Sequence, residues 1–321
     1  MEKRFWKEQS WKAFWLAFTL TLLVMTPGVA AVWAASYWQK TPAADRQEGI
    51  PICQPNENHQ LTVLAVVAGD DPAFVLVRLD AMNQTFALGG IPAESVVRVG
   101  NGSQTLRQCY EAAGPARVAR LLTETLEVPI NRYLSATPET WQKLVEDLGP
   151  VQVLLHGALT EEQRRAAGLS ETAESWTAAG AHRFLQHLET MDKLTMPPQS
   201  TALTRAVLWQ GWARQKLDQL PRVLPQTMKQ YSGRLLTDFT ATELFPLAET
   251  LEFLANGHVQ PQVGVLPGKW NGETGRYEFS DETVGWLQAF FSSEASASAC
   301  ETSSVLYPST TVCAGQRPGW V

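Results

Sequence analysis

The sequence predicts an α/β domain built on a central sheet and preceded by one membrane-spanning helix. Three observations lead there. Residues 13–35 form an uncharged run of 23 residues. From residue 60 to 291, short β-type runs alternate with segments of helical spacing, the pattern of a layered α/β domain. Of the 321 residues, 45% are hydrophobic and 18% charged, which suits a folded core and not a disordered chain. The net charge of −6 argues against an electrostatic grip on nucleic acid.

Each element has its own justification. At about 1.5 Å per residue, a helix over residues 13–35 crosses a hydrocarbon core of about 30 Å. Trp15 and Trp33 then lie near the two interfaces, and Pro27-Gly28 is tolerated in a membrane helix. In residues 1–12, Lys3, Arg4, Lys7 and Lys12 outnumber Glu2 and Glu8, which puts this tail in the cytoplasm and the rest of the chain outside. A cleaved signal peptide with Val32-x-Ala34 as its cleavage site is the alternative; the length of the run favours a retained anchor. Residues 36–59, carrying Pro42, Pro51 and Pro55, read as a linker.

Residues 61–68 are a nearly continuous apolar run and read as a buried strand, with further strands at 73–79 and 84–88. Residues 115–126 have Val118, Leu121, Leu122 and Leu126 at helical spacing after Pro115. A strand at 130–135 leads to Thr137-Pro138-Glu139, a capped helix start that runs to Gly149-Pro150. A strand at 151–155 follows, then helices from Thr160 and over 177–188 and 201–217. The polar face of the last holds Arg205, Arg214 and Lys216. Thr240-x-x-Glu243 matches a capping box for a helix through Leu254, with Pro246 expected to kink its start. Strands at 263–266 and 277–279 and a helix at 281–291 complete the domain, and residues 292–321 form a Ser/Thr-rich tail.

The four cysteines, Cys53, Cys109, Cys300 and Cys313, all follow the anchor, and none forms a CxxC. Outside the cytosol disulfides persist. Of the three connectivities, Cys300–Cys313 with Cys53–Cys109 is preferred, and four free thiols are the alternative. No HExxH, GxSxG, Walker A or GxGxxG motif occurs. His182 and His187 are five apart and read as surface residues. Trp209 and Trp212 read as core, and Asp70-Asp71 as a solvated turn able to bind a cation.

Several short segments in order carry a further signal. Residues 61–69 followed by Asp71-Pro-Ala-Phe-Val-Leu-Val-Arg-Leu-Asp80 resemble the paired strands of LytR-CpsA-Psr (LCP) proteins, the second written "SDTIMLVxID". Gln84-Thr-Phe-Ala-Leu-Gly-Gly-Ile-Pro92 resembles the next strand, which runs into "IPRDT". Thr105-Leu-Arg-Gln-Cys-Tyr-Glu-Ala-Ala-Gly114 is similar to "KLNAAYAYGG", Val128-Pro-Ile-Asn-Arg-Tyr133 to "GIPIDHY", and Leu144-Val-Glu-Asp-Leu-Gly-Pro-Val151 to "LVDALGGV". Residues 178–188 and 202–215 resemble the "LDGexALxYvR" and "GRixRQqxf" helices.

The resemblance covers residues 60 to 290. It implies a single extracytoplasmic α/β domain, 60–291, with a central mixed sheet flanked by helices. It also implies transfer of a polyprenyl-pyrophosphate-linked glycopolymer to peptidoglycan, with Mg²⁺ on an Asp and Arg forks on the pyrophosphate. A deep apolar pocket would take the prenyl chain. Asp71 matches the family's Asp, and so becomes the catalytic and metal-binding candidate; Arg205 matches the Arg of "GR". Ala93-Glu94 stands where the turn carries Arg-Asp, and Thr105 replaces a Lys, with Arg107 two residues on. The paired Arg of "YvRfR" fall near His187, Leu188 and Glu189, and Gln210 lies one place from the "RQ" glutamine. The expected protein is therefore a membrane-anchored envelope protein that binds the lipid-linked polymer and is weak or inactive as a transferase. An altered active transferase would recruit Asp71, Glu94, Arg107, Arg183 and Arg205. An unrelated exterior interaction module is the third reading.

Overall fold

The computed structural model describes residues 54–170 and 172–292. The anchor at 13–35, most of the linker, Cys53, and the tail with Cys300 and Cys313 lie outside the described residues. Among those described, no helix is long and apolar enough to cross a membrane.

Strand β1 (Gln60–Val67) lies inside a six-stranded sheet. Its side chains alternate, Val63 and Ala65 entering one apolar core and Leu64 and Val66 the other. Burial on both faces explains its unbroken apolar sequence. It pairs antiparallel with β2 (Ala73–Asp80), and β2 pairs antiparallel with β3 (Thr85–Ile91). Buried Asp80 closes the β2–β3 hairpin, accepting from Arg78 Nη2 at 2.7 Å and from the Asn83 amide at 3.0 Å.

A small hairpin, β4 (Val96–Val99) and β5 (Gly102–Thr105), precedes helix α1 (Leu106–Leu126). Thr105 and Gln108 form a reciprocal capping box at its start. Gly114, at φ 70°, interrupts α1, and Pro115 starts the second stretch, the only part that the apolar spacing reveals. Cys109 is a free thiol inside α1, buried, with Sγ donating to Gln104 Oε1 at 3.6 Å. It packs as a small apolar group where a bridge to Cys53 was expected, and burial pushes its thiol up.

Strand β6 (Arg132–Ala136) runs parallel to β1, and Thr137 caps α2 (Pro138–Glu146). Strand β7 (Val151–Val153) pairs with β8 (Glu174–Trp176) outside the main sheet, on either side of α3 (Glu161–Ala166). Then come α4 (Ala178–Thr190), α5 (Pro198–Gln215) and α6 (Leu220–Gln230). Helix α6 is absent from the sequence expectation because Pro221 and Pro225 mask it. Strand β9 (Leu235–Thr237) is antiparallel to β6 at one sheet edge. Helix α7 (Leu244–Asn256) leads to β10 (Gln262–Val265), parallel to β3 at the other edge. A hairpin of β11 (Gly268–Asn271) and β12 (Arg276–Phe279) precedes α8 (Thr283–Phe291).

The sheet order is β10-β3-β2-β1-β6-β9, with parallel and antiparallel pairs, so the sheet is mixed. Helices α1 and α8 cover one face, while α2, α4, α5, α6 and α7 enclose the other. The expected capping box at Thr240 is formed differently. The Thr240 amide and hydroxyl both donate to Glu243 Oε2, at 2.8 and 2.9 Å, and α7 starts one residue later without a side-chain cap. Pro246 falls in the first turn, where a missing donor costs little, and the expected kink is absent.

Gly90 fixes the distance between sheet and helix. A Cβ there would stand 2.4 Å from the Ala202 carbonyl oxygen, so β3 and the first half of α5 touch backbone to backbone. Gly90→Ala should destabilise the domain by about 2 kcal/mol through overpacking, measured as a lower urea midpoint at unchanged slope.

The contact between the start of β6 and the start of α7 carries a pH signature. Arg132 of β6 pairs with Glu243, which also accepts from Thr240. The Arg132 guanidinium and then the Thr240 amide hold the Glu243 carboxyl down at about 2. The sign follows from linkage: this contribution is present above the ordinary carboxylate value and lost as pH falls towards 2. Because the pair is partly exposed, it is worth about 1 kcal/mol after screening. Glu243→Gln should flatten that part of the stability–pH curve.

Candidate functional site

On the sheet face enclosed by five helices lies a cavity of about 200 Å³. Its floor is Val63, Ala65, Val77, Leu79, Phe86 and Leu88; its walls include Trp141, Leu185, Trp209, Trp212, Leu224 and Leu251. Apart from Gln142, His182 and Arg205 the lining is aliphatic, methionine, proline or aromatic. Two of its three indole N–H groups are used elsewhere: Trp141 donates to Val66 O at 2.8 Å and Trp212 to Gly149 O at 3.0 Å. Trp141 and Trp209 meet at 4.8 Å between ring centres. Trp209 and Trp212 are thus core residues that also wall a cavity. His182 faces the same space, a departure from its surface reading, whereas His187 is exposed. Burial first, and then Arg205, draws the His182 imidazolium below its usual pKa, which favours the neutral ring.

A second, charged cleft forms where β1, β3 and β6 end. Asp71 comes from the β1–β2 turn, Ala93 and Glu94 follow β3, Glu189 and Lys193 belong to the end of α4 and the loop beyond it, and Thr201 and Arg205 to the first half of α5. Backbone bonds tie this rim together. The Arg107 amide donates to Ala93 O at 3.0 Å, the Leu106 amide to Ser95 O at 2.9 Å, and the Tyr277 amide to Glu94 O at 3.0 Å. The Tyr277 hydroxyl, donated to Leu266 O at 2.7 Å, is pushed up to about 12 by burial.

Arg205 lines both the cavity and the cleft. Its side chain is 6% exposed and forms an ion pair with Glu189. The polar solvated position expected for it is therefore corrected: α5 is packed on several sides, and Arg205 is buried. Burial draws its guanidinium down, opposed by Glu189 and Asp71, and it remains cationic at neutral pH. Burial likewise pushes the Glu189 carboxyl up, opposed chiefly by Arg205. Arg107 pairs with Asp71 and, at 3.1 Å, with Glu94. Lys193 Nζ donates to Glu189 O at 3.2 Å. The Thr201 hydroxyl, buried one helical turn before Arg205, has no hydrogen-bond partner.

The structure thus brings together Asp71, Glu94, Arg107 and Arg205 from the candidate residues. It does not bring in Arg183, which is exposed with Nε on Ala179 O at 3.4 Å, or Gln210, which donates to Pro261 O. Sequence reasoning missed Glu189, Lys193 and Thr201 as members of the site. Thr201 at four residues before Arg205 was the available signal for one of them. For Mg²⁺, the donor set is two carboxylates, Asp71 and Glu94, sharing Arg107. That suits an ion that takes one or two carboxylates together with phosphate oxygens, although no group of three His, Cys, Asp or Glu gathers among the described residues.

The Arg205–Glu189 pair is a positional device more than a stabilising one. Arg205→Ala should cost about 3 kcal/mol by leaving Glu189 without its cation, whereas Arg205→Met with Glu189→Leu should recover most of the loss. Denaturant melts of the two variants decide it.

No protein-family model matches the sequence, and no curated protein does. Solved structures do. A protein of Eubacterium siraeum described as a transcription regulator superposes with a TM-score of 0.58 at 18% identity, over 80% of this chain and 98% of the other. TagV of Bacillus subtilis gives 0.54 at 12% identity, over 74% and 98%. TagT bound to LIIa-WTA gives 0.53 at 13%, over 74% and 92%. TagT and TagV are LCP-family enzymes. At these identities the likeness concerns the fold, and the LCP-like fold read from the sequence is the fold observed.

Proposed function

We propose that the protein is a membrane-anchored, extracytoplasmic binder of a polyprenyl-pyrophosphate-linked glycopolymer, weak or inactive in transferring it to peptidoglycan. The observation that carries this reading is Arg205, buried at the junction between an apolar cavity and a charged cleft. A ligand with a long apolar chain and a polar head matches such a junction. TagT structures bound to LI-WTA and LIIa-WTA share this fold and support a glycopolymer as the class of partner. The uncharged run at 13–35 supplies the anchor, and the charge bias of residues 1–12 sets the orientation.

The charge balance supports weak chemistry. Transfer requires an acceptor oxygen to attack the phosphorus bearing the polymer while the P–O bond to the lipid phosphate breaks, and positioned cations stabilise the charge on the leaving oxygen. Here Arg107, Lys193 and Arg205 face Asp71, Glu94 and Glu189, and both arginines are paired with carboxylates. Ala93 offers no charge at all. A single preorganised donor can be worth about 2.7–4 kcal/mol in such a step, so a neutralised cleft is slow by orders of magnitude. Asp71 and Glu94 are the residues that would hold Mg²⁺, which would supply charge neutralisation for the phosphates. Arg107 already holds Asp71 and competes for the same carboxylate.

Two measurements test this. Ala181→Phe, which fills the cavity from α4, should leave thermal stability near wild type and lower prenyl pyrophosphate affinity at least tenfold. Wild-type protein given a lipid-linked oligosaccharide and peptidoglycan should retain lipid and release little prenyl phosphate. Absence of lipid binding favours an interaction module, and release as fast as by TagT establishes an active transferase.

A further inference from the structure

Of the residues lining the cavity, His182 alone has a side chain that ordinarily changes charge between about pH 5 and 8. Helix α4 sets Ala178, Ala181, His182 and Leu185 against the cavity, the i, i+3, i+4, i+7 spacing of one helix face. The imidazole therefore stands in an apolar stripe. His59 pairs with a carboxylate at 3.4 Å, but among the described residues His182 forms no such pair. Few charged groups face it. Arg205 comes from α5 and Glu139 from the first turn of α2, while Lys143 of α2 turns to Glu146. On α4 itself Glu189 is engaged by Arg205, and Arg183 and His187 are exposed. A proton on His182 would thus add a second cation beside Arg205 with the Glu189 carboxylate already spent. Burial first, and then Arg205, draws the imidazolium below its usual pKa; Glu139 opposes them as the smallest cause.

We propose that His182 is a specificity-determining residue of the cavity, neutral when an uncharged lipid fills it and protonated in acid only when the lipid brings an anionic head. The inference rests on the reading that the cavity takes the chain of a prenyl pyrophosphate, and it adds a pH-dependent choice among lipids. A neutral chain packed on α4 covers the imidazole and offers its proton no counter-charge, so binding requires the unprotonated ring. A pyrophosphate at the junction places negative charge beside Arg205, whose field already reaches His182, and so favours the imidazolium. The sign follows from linkage. Affinity for an uncharged lipid is complete above the pKa of His182 and falls as pH drops through it, at a limit of about tenfold per pH unit for one proton. The anionic lipid escapes that loss. On the proposed extracytoplasmic placement, acid then clears the cavity of uncharged apolar molecules and leaves the pyrophosphate-linked lipid in place.

Fluorescence titration of the full chain with farnesol and with farnesyl pyrophosphate, at about pH 7.5 and about pH 5, tests this. In wild type, farnesol should bind about fivefold more weakly at the lower pH, and the ratio of the two affinities should shift by about as much towards the pyrophosphate. His182→Gln, which keeps a polar side chain without a titrating ring, should bind farnesol equally at both pH values and remove the shift. Glu189, whose carboxyl burial pushes up, is common to both proteins and cancels. If His182→Gln does not fold, His182→Leu, which continues the apolar stripe of α4, gives the same comparison. Proton NMR titration of the His182 ring supplies a readout independent of affinity: reciprocal linkage requires farnesol to lower its pKa and farnesyl pyrophosphate to raise it. Equal farnesol affinity at both pH values in wild type, or an equal fall in wild type and His182→Gln, overturns the inference while the lipid cavity stands. Failure of wild type to bind either lipid at about pH 7.5 removes the lipid reading and this inference with it.

Discussion

A guanidinium can be buried only if its charge is answered, and the organisation of this site follows from that constraint at Arg205. Helix α5 is pressed onto β3 at Gly90, and three residues beyond Ala202 the side chain of Arg205 is buried. The answering charge comes from Glu189 in the last turn of α4. The pair therefore ties α4 to α5 at the place where the apolar cavity ends and the cleft begins. Desolvating both ions costs much of what their attraction returns, so the pair is better understood as fixing geometry than as adding stability.

The two halves of the site then divide the work. Each methylene moved from water into an apolar cavity is worth about 0.8 kcal/mol, so even a short prenyl stretch against Trp141, Trp209 and Leu185 would bind appreciably. The cleft contributes little net charge, because its cations are balanced by carboxylates drawn from the β1–β2 turn, the segment after β3 and the end of α4. On the proposed reading, an apolar cavity beside a neutralised cleft suits holding a lipid more than transforming it. Arg107 illustrates the point: it spends its charge on Asp71 and Glu94.

Much of this was legible before the structure, and the rest was hidden for identifiable reasons. Strands β1 to β3 announce themselves because burial on both faces demands continuous apolar residues, and Thr137 marks α2 because its hydroxyl caps the helix. Helix α6 stayed hidden because two prolines oppose helical propensity and tertiary packing overrides them. Arg205 read as solvated because local spacing does not reveal that α5 is covered on several sides. Glu189 read only as an absent arginine, since nothing in the sequence says that the end of α4 meets the fourth position after Thr201. Thr240 and Glu243 did interact as their spacing required, yet Glu243 turned to Arg132, a strand partner more than a hundred residues away.

The most direct test is a crystal structure of the protein with farnesyl pyrophosphate. The account places the isoprenoid chain between the Trp141–Trp209 pair and the sheet residues Ala65 and Leu79, with the head group beside Thr201 and Arg205. A chain bound outside this cavity, or a head group seated away from Arg205, would contradict it.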